Sequence, residues 1–588
     1  MKPIILLLSV WTLLVFSACS DDKDNLNENL PQPSFVTDQE TYTVGETVHF
    51  TDKSTPGAGE IVEWYWHFGF DGQGNYSTEQ NPGVTYERTG EFEVKLTVTD
   101  KLGGYATSID TVIVRPDNLP PVADFTVSPS ICKVNEEITL TDISTADEYL
   151  TLVSRQWDLG NGESSTDEVV KVTYKSTGFI TVSLTVTDSK GISDKKEMTL
   201  NIRGDVQPGG FDVLWSQTFE TGSTLRSISP AVGDNGNVYV SSNAMMLRAF
   251  SPEGTELWAY DLAAEGGSGG NQGSSPVVDA NGDIYIGVYP ASGNPGLMFA
   301  VYPDGRKKWR YDYVSGVRVD YGTPAISIDG DLLIGTRGTD GGLHKINVLT
   351  GQRRWWSKSP NGGGNGRIVV DKNGVAYSAL TSAHGISRTD INGTNILPSL
   401  GKDQSYFASG VAPAIDSDGT IYAGFEQGVV AAYDPATGLS KWENSTLGKL
   451  DYSGIAIATD GTLYVGTSDA ANPRLVALNK SNGNIKWSYE NEAIIQSAPA
   501  IDNLGNIHFG DNTGNYIVLD ASGNELHKVK LGDQIWSSPV ISDYGTIYVS
   551  VLEGGDCKLF AIECGIAGPA DSPWPQAGQN ARRAGQQK

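Results

Sequence analysis

The chain has little cysteine, histidine or charge. Four cysteines and six histidines are spread over 588 residues, and only 19% of positions are charged. After Phe16 no apolar run is long enough to span a bilayer. The shortage of cysteine excludes a disulfide framework. Cys557 and Cys564 are the nearest pair. On the single strand expected there they stand roughly 23 Å apart and on opposite faces, at about 3.3 Å per residue. A disulfide needs Cα atoms within about 7 Å. The histidines lack the spacing of metal ligands. Cationic side chains number 42 against 70 acidic ones, and the resulting net charge of -28 argues against a nucleic-acid partner, whose phosphates need neutralising. No Gly-x-Ser-x-Gly or phosphate loop occurs in a strand-turn-helix context.

What abounds is glycine, 69 residues of it, and a repeat that uses it. Eight segments between Ser229 and Val551 read small-Pro-apolar-apolar, an Asp/Asn-Gly turn, then an apolar-Tyr-apolar run. Clear copies are SSPVVDANGDIYIGV (274–288), VAPAIDSDGTIYAGF (411–425) and SSPVISDYGTIYVSV (537–551). With Pro or its equivalent as the marker, the copies fall at 230, 276, 324, 368, 413, 455, 499 and 539. A period in the forties with four strand-like segments per copy predicts β-propeller blades. The Asp/Asn-Gly pairs predict tight hairpins, because such turns need positive φ.

A second register pairs a turn glycine with tryptophan four residues on, as in Gly254/Trp258, Gly305/Trp309, Gly351/Trp355, Gly438/Trp442 and Gly483/Trp487. Gly393/Leu397 and Gly523/His527 are degenerate copies. This pattern, fullest in AAYDPATGLSKW (431–442), resembles the repeats of pyrroloquinoline-quinone (PQQ)-type eight-bladed propellers. The resemblance implies that the tryptophans pack between neighbouring blades. The eighth repeat ends at LFAIECG (559–565) without its Trp strand, while FDVLWSQTFE (211–220) is a strand without a repeat. That segment is expected to complete the eighth blade, closing the ring by pairing of the chain ends within a domain of 211–588. The tail SPWPQAGQNARRAG (572–585) resembles the Trp-Pro…Arg-x-Gly segment that flanks such propellers.

Two related segments precede the propeller, 34–115 and 122–203. The first holds EWYWHFGFDG and NPGVTYERTGEFEVKLTVTDKLGG, the second RQWDLGNG and VKVTYKSTGFITVSLTVTDSKGI. Both resemble PKD domains, which are immunoglobulin-like sandwiches. Strict alternation makes Val94-Leu96-Val98 and Val182-Leu184-Val186 inward faces, with Trp66 and Trp157 as core pins. Asp100 and Asp188 open the expected Asp-x-x-Gly turns. Aromatic or imidazole contact with sugar at Trp64, Tyr65 or His67 is the functional alternative to a core role. The expected fold class is all-β: two PKD sandwiches, then an eight-bladed propeller closed by its chain ends.

The N-terminus reads as an export signal over 1–18, with Ile4 to Phe16 apolar and Ser17-Ala18 small before Cys19. A cysteine in that place resembles the bacterial lipoprotein box, which implies lipidation of Cys19. Ser20-Asp21-Asp22-Lys23-Asp24 resembles the acidic export signal of Bacteroidota-type surface lipoproteins, and residues 19–33 would be a tether. The expectation is a lipoprotein on the outer face of the outer membrane.

Quinoprotein dehydrogenases carry adjacent cysteines and an acidic metal-binding set. No two cysteines here are adjacent and no such set assembles, so PQQ is not expected. Asp-x-Asp-Gly at 416–419 suits a hairpin turn, with calcium as the alternative, since the other loop ligands are missing. Three residues before each marker the repeat is free to vary: Ser227, Gly273, Tyr321, Asn365, Gly410, Tyr452, Gln496 and Trp536. By ring geometry these surround the central channel on one face. Arg226, Gln272, Arg318, Asp320, Tyr406, Phe407, Asp451, Arg337, His384, Glu426 and Asp511 are expected nearby. The candidate ligand site is Tyr321, Tyr452, Gln496 and Trp536 with Arg318, Asp320, Tyr406 and Asn365. Aromatic faces among hydrogen-bonding groups suit a sugar, and plugging of the channel top is the bland alternative. The leading expectation is capture of an extracellular glycan for a neighbouring outer-membrane transporter. A protein-interaction scaffold in outer-membrane assembly and a propeller polysaccharide lyase or hydrolase are the alternatives.

Overall fold

The computed structural model describes residues 30–39, 41–70, 74–115, 120–147, 150–204, 210–223, 228–265, 274–288, 296–313, 317–319, 323–338, 341–359, 364–381, 385–401, 406 and 411–587. The export signal and Cys19 lie outside them. The chain divides into two compact units, one of 1–120 with 147–149, the other of 121–146 with 150–588. Among the described residues there is no helix.

Each PKD segment is a two-sheet sandwich. In the first, Phe35–Thr37, Thr47–Asp52 and Gly83–Thr85 face a sheet built on Ile61–His67, Gly90–Asp100 and Tyr105–Arg115. In the second, Phe125–Ser128, Glu137–Asp142 and Val169–Thr173 face Leu152–Asp158, Gly178–Asp188 and Ser193–Ile202. The alternation puts Val94, Leu96, Val98 and Val182, Leu184, Val186 into the cores. Trp66 and Trp157 are fully buried, and each indole N–H donates to a carbonyl at 2.9 Å, Glu79 and Asp167 respectively. Asp100 Oδ1 accepts from the amides of Leu102 and Gly104, and Asp188 Oδ1 from Lys190 and Ile192, as the Asp-x-x-Gly turns require. Trp64 donates to Asp52 Oδ2 at 2.7 Å and His67 bonds Asn75, while Tyr65 stays exposed beside Tyr76.

Eight sheets follow, one per repeat, and each is numbered here as the blade that holds its marker. Blade 6 is typical: Ala456–Ile457, Thr462–Gly466, Arg474–Asn479 and Ile485–Glu490 pair antiparallel in that order. Asp212–Thr221, ahead of the first repeat, pairs antiparallel with Asp556–Glu563 as the outermost strand of blade 8. Cys557 on that strand and Cys564, one residue past its end, enter different apolar clusters, as their odd offset requires.

The tryptophans bind one blade to the next. Trp258 lies over Gly305, Trp309 over Gly351, Trp355 over Gly393, Trp442 over Gly483 and Trp487 over Gly523. The indole N–H of Trp258 reaches Pro303 O at 2.9 Å and that of Trp442 reaches Lys480 O at 2.7 Å. A Cβ on Gly305, whose φ is 86°, would stand 2.7 Å from the Trp258 ring, so both the turn and the overlying indole demand glycine. The degenerate copies have substitutes. Arg388 occupies the Trp place over Gly438 and donates from Nη1 to Pro435 O at 3.0 Å. Trp215 of the leading strand covers Gly254 in blade 1 and donates to Pro252 O at 2.8 Å. His527 packs on Phe211.

Within the larger unit the second sandwich is joined to blade 8. Arg203 Nη1 lies 2.7 Å from Glu563 Oε1 with both side chains buried, and Nη2 donates to Tyr544 O at 2.8 Å. Asn201 Nδ2 adds a bond to Glu563, and Phe179 meets the Tyr544 ring edge-on. The joint is a packed interface with a buried ion pair.

Candidate functional site

The innermost strand of each blade is short, and three successive positions around its start do different work. Two before the marker, Ser274, Ser453 and Ser537 turn their hydroxyls to accept from Gly287, Gly466 and Ser550 on their own second strands. One before the marker, small residues face the next blade. Ser229 N donates to Ser275 Oγ, Ala498 N to Ser538 Oγ, and Ser538 N to Ser229 Oγ at 2.9 Å, which joins blade 8 to blade 1. Three before the marker stand the residues that vary.

The far ends of these strands meet the C-terminal tail. Two residues past the marker, the amide of Ile457 donates to Trp574 O, Ile501 to Pro575 O and Ile541 to Gln576 Oε1. The tail then passes to Val232 through Ala581 O, Val278 through Arg582 O, Ile326 through Ala584 O and Val370 through Gly585 O. Gln587 ends the path, donating to Asp416 O in blade 5 and bonding Lys372. The tail thus visits blades 6, 7, 8, 1, 2, 3, 4 and 5 in turn and covers the hairpin end of the innermost strands.

At the opposite end, Tyr452, Gln496 and Trp536 are half-buried on three consecutive blades. Tyr452 is held at φ 59°, a left-handed conformation that a bulky residue seldom adopts. Gln496 Oε1 accepts from Asn512 Nδ2 at 2.7 Å. The Trp536 indole nitrogen is buried with no hydrogen-bond partner among the described residues. Arg318 and Asn365 lie on strands, Val317–Arg318 and Gly364–Val370, with side chains outside the described residues. Tyr321, Asp320, Arg226, Gln272, His384 and Phe407 fall outside the description altogether. Tyr406 stands farther out: its hydroxyl donates to Glu443 on the outermost strand of blade 5 at 3.3 Å, and its ring packs on Phe425. Asp511 is fully buried and accepts from the amides of Thr513 and Asn515 and from Asn491 Nδ2, so it builds a turn.

Asp451 adjoins this group. Burial pushes its carboxyl up to about 6, with Glu426 adding to the rise while Lys449 and Arg367 oppose it. Arg367 itself escaped the sequence reading. One before the marker the eight blades carry Ser229, Ser275, Thr323, Arg367, Ala412, Gly454, Ala498 and Ser538. A single arginine in a ring of small residues is a signal the repeat could have given. Arg367 is 8% exposed, and its Nη1 lies 3.5 Å from Ser453 O, so it reaches past blade 5 to blade 6. Burial lowers its guanidinium to about 10.

Asp416 at the Asp-x-Asp-Gly turn is bound by Lys480 at 2.9 Å and by the Tyr422 hydroxyl, and Asp418 Oδ1 accepts from Thr420 N. Among the described residues no group of three or more His, Cys, Asp or Glu is placed to hold a metal ion.

The sequence profile described as PKD domain matches 28–114 and 118–203. That described as outer membrane protein assembly factor BamB matches 205–379 and 379–555. The pre-pro-metalloprotease PrtV of Vibrio cholerae serotype O1 is 31% identical over 147 residues, 25% of this chain and 15% of that one. The serine/threonine-protein kinase AfsK of Streptomyces griseus is 25% identical over 298 residues, 42% of this chain and 34% of the kinase. The chain therefore spans a minor part of either relative. The solved structure of BamB from Moraxella catarrhalis superposes with a TM-score of 0.47 at 14% identity, covering 60% of this chain and all of that one. Over its propeller this chain belongs to the family of outer membrane protein assembly factor BamB, and two PKD domains stand ahead of it.

Proposed function

We propose that the propeller is a binding module without catalysis of its own, and that its channel mouth captures an extracellular glycan for a neighbouring outer-membrane transporter. In this reading Cys19 carries a lipid anchor at the cell surface, and the PKD pair holds the propeller away from the membrane. The observation that carries it is the mouth itself. Tyr452, Gln496 and Trp536 are half-buried on adjacent blades. Among the described residues an indole N–H there lacks a partner, and a tyrosine is held in a left-handed turn. Rings for stacking and donors without acceptors are what a sugar needs. Backbone strain that the surrounding structure over-determines clusters at ligand sites.

A second reading is favoured by the family: a protein-interaction scaffold in outer-membrane assembly, as the description of the matching family suggests. Affinity electrophoresis against a polysaccharide panel separates the two. Glycan capture predicts retardation that weakens at least about tenfold in Trp536→Ala and in Tyr452→Ala, the scale of a lost stacking contact with its hydrogen bond. Retardation that survives both substitutions removes the mouth from consideration. No retardation, with an outer-membrane protein co-purifying, favours the scaffold. Release of shorter saccharides from a retarded polymer would make the propeller an enzyme.

A further inference from the structure

Beneath the mouth, the tail sends a second arginine into the centre of the propeller. Arg583 is 3% exposed, and its Nε and Nη1 are buried without a hydrogen-bond partner among the described residues. Its backbone is held at φ 60°, and its neighbours Arg582 and Ala584 bond the innermost strands of blades 2 and 3. The side chain lies close enough to Arg367 for the two charges to repel, and burial with that repulsion lowers Arg583 to about 9. Both guanidinium groups remain cationic at neutral pH. Elsewhere in the larger unit a buried arginine is answered: Arg203 by Glu563, and Arg388 by the carbonyls of Pro398 and Pro435. Among the described residues Arg583 has no such answer, and Asp451 is the one carboxylate whose charge acts on Arg367, beside the Tyr452 phenol. Two guanidinium groups buried together with a single carboxylate nearby are costly in isolation.

We propose that the channel floor, between Arg367 and Arg583, binds a monovalent oxyanion, a carboxylate or a sulfate ester, and that the saccharide taken at the mouth is therefore an acidic one. The charge count selects the class. Among the described residues two guanidinium cations and the Asp451 carboxylate sum to one positive charge, which a single anionic group neutralises. The planar fork of each guanidinium matches two oxygens of such a group. A polyphosphate would meet the net charge of -28 on approach with too few cations to compensate. The anion site stands on the arginines alone; that its bearer is a sugar rests on the glycan reading above.

Calorimetric titration of the whole chain tests both parts. Trigalacturonate or a galactose trimer carrying one sulfate ester should bind at least about tenfold tighter than neutral galactotriose, the scale of one charge-assisted bidentate contact. Whichever acidic trimer binds tighter identifies the anionic group. That ratio is read in the unaltered protein and needs no variant to fold. In Arg583→Met the ratio should fall to about one, while the ligand-free variant melts as high as the parent or higher because an unanswered buried charge has gone. Equal binding of all three trimers would overturn the anion site and leave glycan capture standing. Acetate or sulfate raising the melting temperature of the parent but not of Arg583→Met, with no trimer bound, would leave the anion site standing and remove the glycan. An acidic preference that persists in both Arg583→Met and Arg367→Met would place the anion elsewhere and overturn the proposal.

Discussion

At the hairpin end of the innermost strands, the amide two residues past the marker meets the tail in Val232, Val278, Ile326, Val370, Ile457, Ile501 and Ile541. At the other end, three residues before the marker, the described residues share no such uniformity: Tyr452 is strained, Gln496 is bonded to a loop and Trp536 has a donor with no partner among them. The backbone amides of the floor are bonded copy by copy, with the Arg583 side chain and its left-handed backbone as the exception, whereas the mouth keeps strain and unmet bonding capacity. The difference separates what folds the propeller from what is free to bind, since strain and orphan donors persist only where rigid surroundings impose them.

The largest expected effect comes from breaking the floor. Truncation after Cys564 leaves the tail-bonded amides without partners, at about 1–3 kcal/mol for each that stays buried. Their sum rivals the whole stability of a domain, about 5–15 kcal/mol. The truncated chain should lose the cooperative propeller transition in calorimetry while the transition of the first PKD domain remains. A propeller transition within a few degrees of the parent would mean that the tail is an ornament and the contrast between the two ends is wrong.

Deleting 211–220 should come next. It strips the outermost strand from blade 8, with its pairing from Asp212 to Thr221 and the Trp215 pin over Gly254. The loss of the buried Phe219 alone costs about 3–5 kcal/mol. The melting temperature should fall by about 10 °C or more. Equal melting of the deleted and parent chains would show that blade 8 does not need its leading strand.

Much of this was legible from periodicity. Alternation placed Val94, Leu96 and Val98 inward, and the marker spacing gave one sheet per repeat, because both signals come from local backbone geometry that the sequence must satisfy copy by copy. The tryptophan register was visible too, but not that Trp258 covers the glycine of the following blade, which depends on how blades stack. Arg388 in a tryptophan's place was invisible because it lies on the strand Ile386–Thr389, while the degenerate Leu397 lies outside any strand. The tail could be matched as a segment, yet its circuit uses backbone carbonyls, which carry no sequence signature. Ring geometry puts Tyr406 on the face of the mouth, yet its hydroxyl turns outward to Glu443, a side-chain choice that the repeat does not encode. Arg367 is legible as the one large residue in the ring of small ones before the marker.

The smallest expected effect has the opposite sign to the first two. Asp451 belongs to the mouth, and burial raises its carboxyl from the ordinary 3.8 to about 6, with Lys449, Glu426 and Arg367 as its charged neighbours. The folded chain thus holds a proton there more tightly than the unfolded chain does. Between about pH 4 and pH 6 the native state binds more protons, so this group's contribution falls as pH rises and stays unfavourable above that window. Asp451→Asn should therefore melt about 2–4 °C above the parent at pH 7.5, for a gain of about 1 kcal/mol after allowance for partial exposure. The gap should close at pH 4, where the parent's own carboxyl is protonated. A variant that melts below the parent at pH 7.5 would mean that Arg367 and Lys449 hold Asp451 ionised to the benefit of the fold. The mouth would then be stabilised group by group as the floor is, and binding would have to be sought elsewhere on the propeller.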